Sequence, residues 1–285
     1  MASKIKSSKM VIALFLVVAF VIMLLSKTPM RQHFFSASLG LYSKDNHCPK
    51  TPFFGAREKY SSQAYEDYVL GNIFTDVKNG FYVDVGANNP DGANVSKYFY
   101  AMGWHGMNFE PQTKHYEALL LARKGDININ KAVSDTDGDL VTFYIPQDAD
   151  VLSSLDPNLL QSLPSDAKVD KVTVETTTLT KAFKEHNIKD IDFLKIDVEG
   201  YEDKVVAGLD FSTYRPKVVV LEYVSPTGRF GYQKFTPIML NNGYLFGMSD
   251  GLNYYFYRQE DVSEFEHKFK TMEKCVIIDR WRRGI

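Results

Sequence analysis

Phe81-Tyr82-Val83-Asp84-Val85 is a short apolar run broken by one acid and closed by Gly86-Ala87-Asn88. A strand buried on both faces reads as such a near-continuous run rather than as an alternation. Residues 93–102 follow, with Val95, Tyr98, Phe99 and Met102 at helical spacing and Gly103 closing them. Met107-Asn108-Phe109 then predicts a second strand, tipped by Glu110-Pro111. A helix carrying Tyr116, Leu119 and Leu120 leads to a third predicted strand, residues 127–133. Two more buried strands are expected at residues 193–197 and 218–221, ending in Asp197 and in Glu222. Upstream, residues 62–74 place Tyr65, Val69 and Ile73 on one helical stripe, with Gln63, Glu66 and Asp67 elsewhere. Downstream, a helix through Ile238, Met239 and Leu240 stops near Gly243, and strands at 244–248 and 253–257 join through Ser249-Asp250-Gly251.

One stretch departs from this alternation. Residues 140–145 and 172–176 alternate as the strands of an inserted hairpin do. Residues 149–167 between them are rich in Ser, Asp and Pro, and so long a surface excursion beside a crevice is expected to act as a lid or acceptor-binding loop. Strands alternating with helices and then a closing hairpin predict an α/β domain with helices on both faces, an order that resembles the seven-stranded sheet of class I methyltransferases.

The N-terminus changes the organisation. Residues 10–25 are apolar without interruption, bracketed by Lys9 and Lys27. The run is apolar on all faces, which excludes an amphipathic core helix. No A-x-A-like site follows it closely, so a single uncleaved transmembrane helix is expected at residues 10–26, with a removed signal peptide as the alternative. Lys4, Lys6 and Lys9 precede it, and the positive-inside rule then puts the N-terminus in the cytosol and the body on the lumenal or exterior side; a cytosol-facing body is the alternative. The expected organisation is a basic tail at 1–9, the anchor at 10–26, a Pro- and Gly-bearing stem at 27–60, the catalytic domain at 61–260 and a C-terminal extension at 261–285. Cys48 and Cys275 allow either a disulfide or two free thiols. With a formal net charge of −2 and no basic stripe, nucleic acid is not an expected partner. Arg280, Arg282 and Arg283 read as a solvated tail, the Asn94-Val95-Ser96 sequon as fortuitous, and His105 and His115 as surface residues.

The chemistry gathers at the predicted strand tips, where open α/β sheets place their ligands. Gly86 permits a sharp turn and close approach of a ligand, and Glu110 can accept hydrogen bonds from both hydroxyls of a ribose while repelling a 2′-phosphate. Asp84 and Glu110 together point to an unphosphorylated adenosine-type ligand, without separating a dinucleotide from S-adenosylmethionine. The densest motif is Asp192-Phe193-Leu194-Lys195-Ile196-Asp197-Val198-Glu199-Gly200-Tyr201-Glu202. Lys195 lies within an apolar strand and needs a carboxylate partner. Asp197 and Glu199 stand at the strand's carboxyl end; for Glu199 and Glu202 the positive end of the following helix is an alternative explanation.

These residues resemble the FkbM-type S-adenosylmethionine-dependent methyltransferases over roughly residues 61–257. The carriers are Ser62-Gln63-x-x-Glu66-Asp67, Val83-Asp84-Val85-Gly86-Ala87-Asn88, Gly103-Trp104-x-Gly106-x-Asn108-x-Glu110-Pro111, Ala132-Val133-Ser134-Asp135, the Asp192–Glu202 block, Asn242-Gly243-Tyr244 and Asp250-Gly251-Leu252-Asn253. The resemblance implies methyl transfer from S-adenosylmethionine to oxygen, commonly a hydroxyl of a sugar, glycan or related small molecule. It implies that Asp84, Gly86 and Asn88 shape the methionine side, that Glu110 holds the ribose, and that Asn130 and Ala132 lie near the adenine. Lys195, Asp197 and Glu199 become the catalytic candidates, Asp197 first as general base or acceptor-orienting carboxylate. A divalent cation at Asp197 or Glu199 is compatible with this reading but no ligand spacing indicates one. Pro90 stands where many members carry glycine, so the loop around Asn89 and Asp91 is expected to differ in shape. A non-catalytic membrane protein using the same fold is the competing expectation, though such a site should have lost its acids. An NAD-dependent oxidoreductase fits less well, because the first turn lacks G-x-G-x-x-G.

Overall fold

The computed structural model describes residue 48, residues 60–224 and residues 231–283. The expected anchor and most of the stem lie outside the described residues; among those described, no helix is long and apolar enough to cross a membrane. The chain divides into units 1–48 and 49–285, and the larger one holds the fold.

Its strands are β1 (Phe81–Val85), β2 (His105–Phe109), β3 (Ile127–Ile129), β4 (Ala132–Val133), β5 (Leu140–Pro146), β6 (Val169–Thr177), β7 (Phe193–Ile196), β8 (Val218–Glu222), β9 (Tyr244–Ser249) and β10 (Asn253–Arg258). Its helices are α1 (Glu66–Ile73), α2 (Ser96–Ala101), α3 (Thr113–Ala122), α4 (Leu159–Ser162), α5 (Leu179–Glu185), α6 (Glu202–Ala207), α7 (Tyr232–Asn241) and α8 (Val262–Arg283). Seven strands form one sheet in the order β3-β2-β1-β7-β8-β10-β9. The first five are parallel, and β10 runs antiparallel to both its neighbours. Chain order reverses between β1 and β7, which puts the switch point, and the ligand crevice of such sheets, at their carboxyl ends.

Both sheet faces are covered, which is why the central strands read as unbroken apolar runs. Val83, Val85, Leu194 and Ile196 pack on one face with Phe183 of α5, Val205 of α6 and Phe235 of α7. Tyr82, Phe193, Val218 and Val220 pack on the other with α1, with Phe99 of α2 and with Phe265, Phe269 and Met272 of α8. The segment expected as a C-terminal extension is therefore α8, whose apolar stripe completes a core; its backbone stays helical through Arg283. Each such buried aromatic removed from water contributes roughly 1.5–3 kcal/mol.

Three local expectations are corrected. Residues 127–133 are not one strand: β3 joins the large sheet, whereas β4 pairs with β6 in a separate sheet ordered β4-β6-β5. The break falls at Asn130, whose Nδ2 donates to the carbonyls of Glu110 and Pro111 and turns the chain there. In α3 the buried positions are His115 and Leu119, while Leu120 is exposed. In α1, Glu66 and Asp67 are buried. Asp67 accepts the backbone N–H groups of Ser61 and Ser62 and the Ser62 hydroxyl, so it closes the chain entering the helix.

Candidate active site

The turn after β1 is set by backbone geometry. Gly86 has φ +77°, and a Cβ there would lie 1.9 Å from the Asp197 carbonyl oxygen. The N–H groups of Gly86 and Ala87 both reach the Phe109 carbonyl, and Asp197 N–H donates to Val85. The tips of β1, β2 and β7 are thus laced together around a position only glycine can fill.

Glu110 organises the next layer. Its Oε2 accepts Asn88 N–H at 2.7 Å and its Oε1 accepts Gln112 N–H at 2.8 Å. A carboxylate oxygen can accept two hydrogen bonds, so each keeps one free site for a ligand. Burial pushes the Glu110 carboxyl up to about 7, against the pull of those two N–H groups. The loop beyond Asn88 is held by Asn94, which is buried: its Nδ2 donates to Ala87, and its Oδ1 accepts from the Ser96 hydroxyl and Lys97 N–H. At Pro90 the loop is pinned from behind, since Arg123 Nη2 donates to the Pro90 carbonyl at 2.7 Å.

Asp84 and Lys195 are register partners on β1 and β7. Lys195 Nζ lies 3.1 Å from Asp197 Oδ2 and 3.8 Å from Asp84 Oδ1. Burial opposes the ammonium, but the carboxylates of Asp197, Asp84 and Glu66 outweigh it and hold Lys195 well above its ordinary range. Asp84 is almost fully buried, and neither of its oxygens has a hydrogen-bond partner among the described residues. Its role is that of a counter-charge beneath the site, with Lys195 between it and Asp197.

Beyond β7 the chain turns through Glu199, at φ +57°, and Gly200, at φ +103°. Glu202 supports this turn from the helix side: its Oε1 accepts the N–H groups of Val198 and Gly200, both at 3.1 Å. Ser154 of the inserted arm supports it from the other side, donating to the Glu199 carbonyl at 2.9 Å. The turn presents Asp197 and Glu199 beside Glu222 at the end of β8, with carboxylate oxygens of all three within 4.8 Å of one another. Burial first, then the neighbouring acids, push Glu199 up to about 9 and Glu222 up to about 12.

All of this surrounds one cavity of about 350 Å³. Of the expected site residues, Gly86, Asn88, Glu110, Ala132, Lys195, Asp197 and Glu199 line it. Asp84 and Asn130 do not: the first lies under the floor, and the second spends its amide on the Glu110-Pro111 carbonyls. The inserted arm supplies wall residues between Asp150 and Leu155, in keeping with a lid.

Glu222, His115 and Asp150 are among the wall residues without a predicted role. Glu222 is visible in the sequence as an acid on a strand tip, but its meaning depends on β8 lying beside β7. His115 is buried rather than on the surface, 3.2 Å from Asp150 Oδ2, and burial lowers its basicity despite that carboxylate. Asp150 reaches it from the arm, which no local pattern announces.

Five carboxyl groups line the cavity against Lys131 and Lys195. A wall so weighted suits a cationic sulfonium, and the open acceptor sites on Glu110 suit a ribose diol, so the residues present fit S-adenosylmethionine.

A comparison with solved structures finds a TehB-like SAM-dependent methyltransferase from Corynebacterium glutamicum, at 9% identity and a TM-score of 0.40, over 81% of this chain and 100% of that one. It also finds an O-methyltransferase from Bacillus cereus in complex with SAH, at 11% identity and a TM-score of 0.36, over 77% of this chain and 94% of that one. No curated protein matches. The family model of the methyltransferase FkbM domain matches residues 84–246, from the acid of β1 to the middle of β9. That match spans more than half of the chain and takes in the switch point with its assembled acids, and the chain belongs to the FkbM family of S-adenosylmethionine-dependent methyltransferases.

Proposed function

We propose that this methyltransferase acts on oxygen, methylating a hydroxyl of a sugar, glycan or related small molecule. The observation that carries this reading is Asp197: a carboxylate held at the cavity wall by Lys195, on the strand next to the Gly86 turn. When bound, the cofactor supplies a methyl carbon on a sulfonium, and the C–S pair returns to sulfur as the acceptor oxygen takes the methyl. Asp197 orients the acceptor hydroxyl and takes its proton. Lys195 fixes that carboxylate in direction. Glu110 and the Asn88 turn hold the ribose side, and the arm around Asp150 excludes water. Retention of acids on β1, β2, β7 and β8 supports a catalytic site over a partner-binding derivative of the fold.

Residues 10–26 anchor the enzyme, residues 27–60 form its stem, and the catalytic domain, from residue 61 through α8, faces the lumenal or exterior side. Supporting this side, Cys48 and Cys275 are both disulfide-bonded, a state that oxidising compartments favour. Chain taken from cells should then resist thiol alkylation until reduced, and free alkylation without reductant would place the domain in the cytosol.

The activity is tested by incubating the full chain in detergent with methyl-labelled S-adenosylmethionine and a panel of glycans. Label should enter a hydroxyl-bearing acceptor. Asp197→Asn should abolish transfer while leaving cofactor affinity in place; undiminished transfer by that variant removes Asp197 from the proton-accepting role.

A further inference from the structure

Asp197, Glu199 and Glu222 come from two neighbouring strands, and all three line the cavity. Donors sharing one cation at 2.0–2.6 Å lie no more than about 5 Å apart. The 4.8 Å within which these oxygens fall meets that limit.

A second observation is independent of that spacing. Glu222 is only 7% exposed, its Oε2 is fully buried without a donor among the described residues, and at hydrogen-bond range its carboxyl meets another acid, Asp197. A buried carboxylate oxygen left unpaired is costly, and packing gives no reason for an acid there. The cations nearby do not supply the missing partner. Lys195 is the one ammonium in ion-pair contact with the trio among the described residues, through Asp197 alone, and it is shared with Asp84. Once a bound cation draws the protons from all three carboxyls, the trio against Lys195 carries two negative charges, which one divalent cation balances.

We propose that Asp197, Glu199 and Glu222 together bind one divalent cation of the hard, oxygen-preferring class, such as Mg²⁺, Mn²⁺ or Ca²⁺. Three carboxylates and no nitrogen or sulfur donor select that class. Three protein ligands leave coordination positions turned to the cavity. There the cation takes oxygens of the acceptor, a part of the inference that rests on the O-methyl reading. A hydroxyl ligated in this way gives up its proton more readily, and a carboxylate beside it suffices to accept that proton. Vicinal hydroxyls, which can chelate, are the acceptor chemistry such a site favours.

The test reads cation binding directly. Mn²⁺ titrated into the full chain in detergent, without cofactor, and followed by the electron paramagnetic resonance of free Mn²⁺ should saturate at one ion per chain. Changes in a metal's outer shell already cost 10- to 100-fold in affinity, so Glu222→Gln and Glu199→Gln should each weaken binding by at least about tenfold. Circular dichroism of each variant confirms that it is folded. A wild-type chain that binds no Mn²⁺ overturns the proposal, as does binding that survives both substitutions. Calorimetric titration of the same preparation with S-adenosylmethionine in EDTA separates the two claims. Cofactor binding without Mn²⁺ binding removes only the cation site. Absent cofactor binding removes the methyl-transfer reading, and the Mn²⁺ stoichiometry still decides on the cation.

Discussion

The Ser154 hydroxyl donates to the backbone carbonyl of Glu199 at 2.9 Å, and its Oγ also lies 3.3 Å from the carbonyl oxygen of Val198. Through this side chain the inserted arm is fastened to the turn that presents the acids. The same oxygen accepts Asp156 N–H at 2.9 Å, so Ser154→Ala should cost about 2 kcal/mol of stability for two hydrogen bonds. Its larger effect should fall on acceptor KM, with cofactor affinity unchanged, because Glu110 and the Asn88 turn lie elsewhere. Steady-state kinetics with the acceptor varied, beside cofactor calorimetry, check that division. An unchanged acceptor KM would show that the arm does not shape the acceptor's side.

Glu110 has two duties, since it holds Asn88 and Gln112 N–H while facing the ribose position. Glu110→Ala should therefore weaken cofactor binding by ~1–3 kcal/mol, roughly 5- to 150-fold. Calorimetric titration measures it, and an affinity equal to wild type contradicts the ribose role.

Gly86 admits no side chain. Gly86→Ala forces an L-residue to positive φ and drives its Cβ into the Asp197 carbonyl. The conformational term alone is about 1–2 kcal/mol, and relief of the clash must separate β1 from β7. The urea midpoint should fall and cofactor binding should be lost. Retention of both would mean that the turn is softer than its geometry implies.

Stability should decline with rising pH across the neutral range. Burial raises Glu66, Glu110 and Glu202 to about 7 and Glu199 to about 9. A carboxyl raised on folding binds more protons folded than unfolded, so its contribution is complete below its unfolded pKa, near 4.5, and is lost as pH climbs through the folded value. Melting temperature should therefore drop between pH 5.5 and pH 8.5. Glu202→Gln keeps an oxygen for Val198 and Gly200 N–H but removes the proton, so its profile should be shallower by at most ~1.4 kcal/mol per pH unit. Parallel profiles for variant and wild type would remove Glu202 as a contributor.

How much of this is legible in one dimension depends on what holds each residue. The central strands are legible because both of their faces are buried, which leaves an apolar run that needs no knowledge of neighbours. Gly86 and Glu110 are legible because strand tips in such sheets are where ligands bind, and Asp197 and Glu199 follow from the same rule. The burial of Glu66 and Asp67 is hidden, since acids next to a helix start look solvated until Ser61, Ser62 and Asn253 are seen to satisfy them. The split of residues 127–133 is hidden for a similar reason: Asn130 breaks the strand through carbonyls twenty residues away. Asp84 is legible as an acid at the site but not as a counter-charge, because that role depends on Lys195 lying opposite it. The partnership of His115 with Asp150 is the least legible of all, as it joins a helix to the tip of an insertion.

The burial of Asn94 has a consequence for the chain's biogenesis. Its amide nitrogen, the atom a glycosyl transfer would use, is committed to the Ala87 carbonyl inside the folded domain. If synthesis delivers this domain to the lumen, Asn94-Val95-Ser96 is open to oligosaccharide attachment only while the loop is unformed. A sugar at that position would then mark molecules that stalled before closing the cofactor loop, and its absence would mark those that folded in time.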